Sequence, residues 1–306
     1  ENLQYAAEKL AAAKIGLRLE PGVAFDHPCC AALATHLVDL VGGEEASPTA
    51  SAGMLTTLFR AAHERGEAVE FGGVIRDAAK FRPRFGTTAA AAQEPFSLRL
   101  ADGPEPPPLV CVPSAAPISG PHEYALLARR FQGTHGVHAL RWPGFAEQGP
   151  LPETIEAAVE AQLSTVAGLT AGEPAILLGH STGGVFAHAL ARRLEDLGSP
   201  PAAVVLIDSY HPSQLATSRS IGLGILGVLL RAEESGVPID DVRLTAMAAY
   251  LQLVDAYEPT SLAAPTLLVR AIERIGEDQG GDEWRPHWEV GQDVMDVAGD
   301  HLTMVG

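Results

Sequence analysis

Cysteine is nearly absent from this chain: Cys29, Cys30 and Cys111 are the only three in 306 residues. Three thiols make no disulfide framework, so a reducing, cytoplasmic setting is expected. The adjacent Cys29 and Cys30 read as core packing. Among 11 histidines there is no His-Glu-x-x-His word and no paired Cys/His spacing, so no metal is expected. Basic residues are scarce too, 21 Lys and Arg against 38 Asp and Glu, for a net charge of −17. That balance argues against nucleic acid or anionic membrane as the main partner. No apolar run reaches the roughly 20 residues that a bilayer span needs, and no stretch reads as a signal peptide. Residues 221–230 are apolar but short, and read as a buried or lid helix. Aromatics make up only 6% of a chain that is 46% hydrophobic, so the core must come from Ala, Leu and Val.

What the chain does have is a glycine-flanked serine. Residues 175–178 are a short apolar run, read as a buried parallel strand. The run stops at Gly179-His180-Ser181-Thr182-Gly183, and a helical segment follows from Gly184 to Leu194. Strand, tight turn and helix in that order are the context of a nucleophile elbow. Flanking glycines remove the Cβ atoms that so sharp a turn would crush. Ser181 is therefore the candidate nucleophile, exposed at the carboxyl edge of a sheet above the N-terminus of the following helix.

From Pro95 onward apolar runs and helical runs alternate, which predicts a mostly parallel sheet covered on both faces. Strands are expected at 96–100, 109–112, 137–141, 175–178, 203–207, 266–270 and 294–297, and helices near 122–132, 153–168, 183–197 and 244–257. With the elbow, this pattern predicts an α/β-hydrolase fold over residues 86–306, with a helical lid insertion at about 212–260. Upstream, residues 52–85 hold two amphipathic helices whose apolar faces include Met54, Leu55, Leu58, Phe59, Phe71, Val74 and Ile75. The sheet has helices of its own for both sides, so this surplus apolar face is expected to meet a second copy; the competing reading folds it back on its own domain. Residues 44–51 form a linker, and residues 1–43 a small all-helical piece with helices at 3–13 and 28–40.

A serine nucleophile needs a base, an orienting acid and an oxyanion site. In this fold the order is Ser, acid, His, which makes His301 the candidate base. Asp300, beside it, reads as a loop-shaping residue, and His180 as too close in sequence to Ser181 to serve. The acid stays open between Asp208, at the end of its strand, and Glu273, Asp278 or Asp282 after the next one. The oxyanion hole is expected from two backbone N–H groups, one on Thr182 and one in the loop 113–116. Tyr210, His211 and Trp284 are candidate substrate contacts.

Several words together carry a resemblance. Leu-Gly-His-Ser181, Val-Leu-Ile-Asp208-Ser-Tyr-His-Pro212, Gly299-Asp-His301-Leu-Thr-Met-Val305, Ile118-Ser-Gly-Pro-His-Glu-Tyr124 and Trp142-Pro-Gly-Phe145 resemble the terminal thioesterase domains of modular type I polyketide synthases. The likeness runs from about Thr49 to the end. Thr182 departs from the Ala or Met usual after the serine. The words Gly16-Leu-Arg-Leu19 and Phe25-Asp-His-Pro28 resemble the later half of an acyl carrier protein, whose phosphopantetheine-bearing serine is absent or lies before residue 1. The resemblance implies Asp208 as the acid and Ala115 as the second oxyanion donor. It implies no bound cofactor, a polyketide acyl chain delivered on the phosphopantetheine of a carrier protein of the same synthase, and a homodimer built on residues 52–80. The product would be a macrolactone or, by water, a linear acid. The competing readings are a free-standing editing thioesterase, a small-ester hydrolase and a catalytically silent docking module.

Overall fold

The computed structural model describes residues 53–93, 97–145, 149–170, 172–217, 239–274, 284–288 and 292–305. The carrier-like piece, the linker, Cys29, Cys30 and residues 218–238 of the expected lid lie outside these.

Two helices come first, α1 (Met54–Glu64) and α2 (Ala68–Ala79). A two-residue strand β1 (Arg84–Phe85) and a short helix α3 (Thr87–Ala90) lead to β2 (Ser97–Ala101) and β3 (Glu105–Val112). A 3₁₀ turn (Pro121–Tyr124) runs into α4 (Ala125–Arg129), then β4 (His135–Leu140), β5 (Leu151–Pro152) and α5 (Ile155–Thr170). The second half holds β6 (Ile176–His180), α6 (Thr182–Asp196), β7 (Ala203–Ile207), α7 (Pro212–Thr217), α8 (Asp241–Asp255), β8 (Thr266–Ala271) and β9 (Asp293–Val297). Seven of the strands make one sheet in the order β2-β4-β3-β6-β7-β8-β9. Only β2 is antiparallel to its neighbour. All seven expected strands are found, with ends moved by a few residues.

The central strands are continuous apolar runs because helices cover both of their faces. Leu109 to Val112, Val137 to Leu140 and Leu177 to His180 are all buried. The chain steps from β3 outward to β4 and later returns to lay β6 on the other side of β3. Connections diverge there, which opens a crevice at the carboxyl ends of β3 and β6. Four aromatics pack together in the core: Trp142 lies 4.7 Å from Phe186, and Tyr250 lies 5.2 Å from Phe145 and 5.6 Å from Phe186. Their polar ends are satisfied, Trp142 Nε1 donating to the Pro113 carbonyl (2.8 Å) and the Tyr250 hydroxyl to that of Pro143 (3.0 Å). No helix of the described residues is long and apolar enough to cross a membrane.

The two leading helices correct the expectation of a surplus apolar face. Phe59 and Ile75 are buried, and Leu55 and Phe71 pack against the main core, so most of the named face is spent within the molecule. Burying Phe59 and Ile75 contributes about 1.5–3 kcal/mol each. Only Met54 (77% exposed), Leu58 (44%) and Val74 (46%) stay at the surface. The partner is α8, against which both helices pack. Asp241 at its start accepts the Leu55 N–H (3.2 Å), the Thr56 N–H (2.8 Å) and the Thr56 hydroxyl (2.7 Å). It thus satisfies first-turn donors of α1 that Gly53, at the N-cap, has no side chain to meet.

Candidate active site

Ser181 stands between β6 and α6 with φ 55° and ψ −130°, a region that non-glycine residues enter only under constraint. The constraint is visible on both sides. The Ser181 N–H donates to the Ile207 carbonyl on β7 at 2.9 Å. A Cβ on Gly179 would collide with the Gly183 carbonyl, so the strand-to-helix turn closes only on glycine. The Ser181 side chain makes no capping bond to α6. It is 9% exposed rather than open to the outer surface as the sequence suggested, because it faces a cavity of about 270 Å³.

His301 follows β9 and lines the same cavity. Its Nδ1 lies 2.7 Å from Asp208 Oδ2, and the other Asp208 oxygen accepts the Ala271 N–H at 3.0 Å. Asp208 is 1% exposed and sits at φ 41°, its own N–H donating to the Val269 carbonyl (2.7 Å). With Nδ1 on a carboxylate, Nε2 is the ring nitrogen left for proton transfer. Burial pushes the His301 imidazole below the ordinary histidine range; the Asp208 carboxylate opposes this, and the neighbouring His180 adds to it. Asp300 Oδ1 accepts the N–H groups of Leu302 (2.9 Å) and Thr303 (3.0 Å), so it folds the loop that carries His301. The Glu273 N–H donates to the Gly299 carbonyl of this loop at 3.1 Å. Asp278 and Asp282 lie outside the described residues.

The loop expected to supply the second oxyanion donor runs beside Thr182, and its N–H is engaged there. The Ala115 N–H points at the Thr182 hydroxyl (2.9 Å), which also meets Ser114 Oγ at 3.1 Å. An Ala or Met after the serine could not do this.

Of the three candidate substrate contacts, none is in the cavity wall among the described residues. The Tyr210 ring is 6.2 Å from that of His301. His211 stands edge-on to Trp288 at 5.4 Å, and Trp288 is tied down by its Nε1 bond to the Ser209 carbonyl (2.8 Å). Trp284 is covered by the guanidinium groups of Arg274 (5.4 Å) and Arg285 (5.3 Å). The apolar wall comes instead from Ile118, Leu126, Met247, Leu251, Leu302 and Val305. Met247 and Leu251 are four residues apart on α8, a helical spacing that is readable in the sequence.

Sequence reasoning also passed over His180. Its Nδ1 is 2.7 Å from Glu123 Oε1 and its Nε2 2.7 Å from the His301 carbonyl, with the His180 and Glu123 side chains only 8% and 10% exposed. Its N–H donates to the Tyr124 hydroxyl (2.9 Å), which donates in turn to the Val112 carbonyl (2.7 Å). Among the described residues no group of His, Cys, Asp or Glu is arranged to hold a metal ion.

Comparison with known proteins bears on this site. The family model described as the thioesterase domain matches residues 107–306. The chain is 38% identical over 302 residues to the spectinabilin polyketide synthase system protein NorC of Streptomyces orinoci, across 96% of this chain and 13% of that protein. It is 36% identical over 294 residues to the erythronolide synthase EryA3 of Saccharopolyspora erythraea, across 95% of this chain and 9% of that one. The chain therefore spans a small fraction of the curated relatives it matches. The solved NocB thioesterase domain from the nocardicin cluster superposes with a TM-score of 0.52 at 21% identity, covering 69% of this chain and 91% of that one. At that identity the likeness is one of fold, the α/β-hydrolase fold.

Proposed function

The chain belongs to the thioesterase domain family, and from that premise we propose that it releases the finished chain of a modular polyketide synthase through an ester on Ser181. The observation that carries this reading is one cavity that holds Ser181 and a His301 whose ring is fixed at 2.7 Å by buried Asp208. His301 takes the Ser181 proton as Oγ attacks the carbonyl of an acyl group held as a thioester on the phosphopantetheine of an acyl carrier protein of the same synthase. The C–S bond breaks, and the thiol leaves with the proton from His301. A hydroxyl of the bound chain, or water, then gives its proton to His301 and attacks the ester, which yields a macrolactone or a linear acid and restores Ser181. Asp208 holds the imidazole in the tautomer this needs. The N–H groups of Thr182 and Ala115 receive the oxyanion, the Thr182 hydroxyl turning aside as the second is taken. The chemistry calls for no resident cofactor, since phosphopantetheine arrives with the substrate.

The reading favours cyclisation. The wall from α8 and Leu302 is apolar, so a chain folded into the cavity displaces water from the ester. A long hydroxylated thioester mimic is expected to give macrolactone as the main product by mass-resolved chromatography. Linear acid alone at every pH and concentration would remove that preference. Turnover of short-chain thioesters at equal efficiency would favour an editing enzyme or a small-ester hydrolase.

A second copy of the chain is the proposed structural partner. Met54, Leu58 and Val74 are the part of the α1–α2 face still exposed. Leu58→Glu is expected to halve the mass seen by light scattering at micromolar protein. It should leave the melting temperature within about 2 °C, because the side chain is not in the core. A wild-type protein that stays monomeric at high concentration excludes this interface.

A further inference from the structure

Glu123 and the elbow histidine His180 find no use in the reaction above, yet they form a buried polar pair beside it. Glu123 and His180 face each other across 57 positions of sequence at 2.7 Å. Both nitrogens of His180 face acceptors, a carboxylate oxygen and the His301 carbonyl. A neutral imidazole has one N–H, so it can donate to only one of them. A ring that donates to both is an imidazolium, and the Glu123 carboxylate neutralises it. The second Glu123 oxygen accepts the Ser114 N–H, a long contact of 3.4 Å on the oxyanion loop. The same ring is 4.6 Å from that of His301, centroid to centroid.

We propose that Glu123 and His180 are positioning residues for the base: a buried ion pair under the elbow that holds the backbone of His301 and keeps a positive charge beside its ring. This rests on the reading of His301 as the base. The pair joins three parts of the site that are far apart in sequence, namely the oxyanion loop through Ser114, the elbow through His180 and the base loop through His301. The titratable groups around these two rings include Glu123 and Tyr124 from the 3₁₀ turn, Asp208 and Tyr210 from the end of β7, and Asp300 from the base loop itself. Burial alone would push His180 down. The hydrogen bond to Glu123, its charge, the His301 carbonyl and Asp208 outweigh burial and hold the ring above the ordinary histidine range. Tyr210 is buried beside Asp208 and stays protonated, so it adds no charge.

His180→Gln keeps a side-chain donor for the His301 carbonyl but removes the positive charge. We expect kcat to fall about tenfold with little change in KM, from looser placement of the base. The acid limb of kcat/KM, which reports the base in the free enzyme, should move up by about one pH unit, because the Glu123 carboxylate is left without its counter-charge. Adding Glu123→Gln should bring the limb back towards its original position. A merely structural role would lower activity without moving the limb, and would overturn the proposal. Ring nitrogen NMR of wild-type protein supplies a test that no folding defect can spoil: His180 should be doubly protonated at pH 7.5, and a neutral ring overturns the proposal. His301→Ala separates the two readings. If it acylates normally, the assignment of the base fails. If it is inactive while His180→Gln matches wild type in both kcat and limb, only the positioning role fails.

Discussion

Ser181→Ala is expected to abolish acyl-enzyme formation and to lower kcat by about 10⁶, the scale of losing a triad nucleophile. The side chain makes no capping bond and its Cβ is retained, so the elbow keeps its shape. Melting should stay within about 2 °C of wild type. Intact-mass measurement with a thioester mimic checks both parts, since the wild type should gain one acyl group and the variant none. An adduct that forms on the variant at the wild-type rate would exclude Ser181 as the nucleophile.

Asp208→Asn should cut turnover by about 10⁴ with the fold intact. The geometry makes the effect specific. One Asp208 oxygen accepts the Ala271 N–H and the other faces His301 Nδ1. An asparagine must keep its oxygen on Ala271, which turns its NH₂ group towards the histidine. The imidazole then accepts at Nδ1 and carries its proton on Nε2, where it can no longer take one from Ser181. Glu273→Gln and Asp278→Asn should stay within about threefold of wild type. The reverse pattern in steady-state kinetics would move the acid to the loop after β8.

The elements were legible wherever one local rule governs them. Apolar runs such as Val204-Val-Leu-Ile207 read as buried strands, and Gly179-His-Ser-Thr-Gly183 read as a turn whose glycines are sterically required. Contacts that depend on distant pairing were not legible. Nothing near Asp241 announces that it caps a helix that starts 187 positions earlier, at Met54. The spacing of Phe59, Phe71 and Ile75 marks an apolar face, but no pattern says whether that face meets a second copy or its own α8. Around Ser181 the same limit applies. The order Ser, acid, His left several acids open, and burial of Asp208 between β7 and β8 is a property of the assembled sheet. By sequence His180 is too close to Ser181 to serve as its base, whereas its side chain reaches across to Glu123. Trp284 stands shortly before the last strand, which suggests a pocket wall, yet its ring is taken up by two arginines.

The Asp241 carboxylate is also a mechanical joint. The polypeptide arriving from residue 52 enters the described fold at Gly53, where any Cβ would collide with that carboxylate. Two to three turns further along α8 stand Met247 and Leu251, part of the cavity wall. The first described residue of the chain thus abuts the head of the helix that lines the chamber beside Ser181. By the same token residue 86 is no place to cut the chain. A fragment that starts there would strip Asp241 of three donors and leave holes where Phe59 and Ile75 had been. The helix that shapes the chamber would lose its outer support.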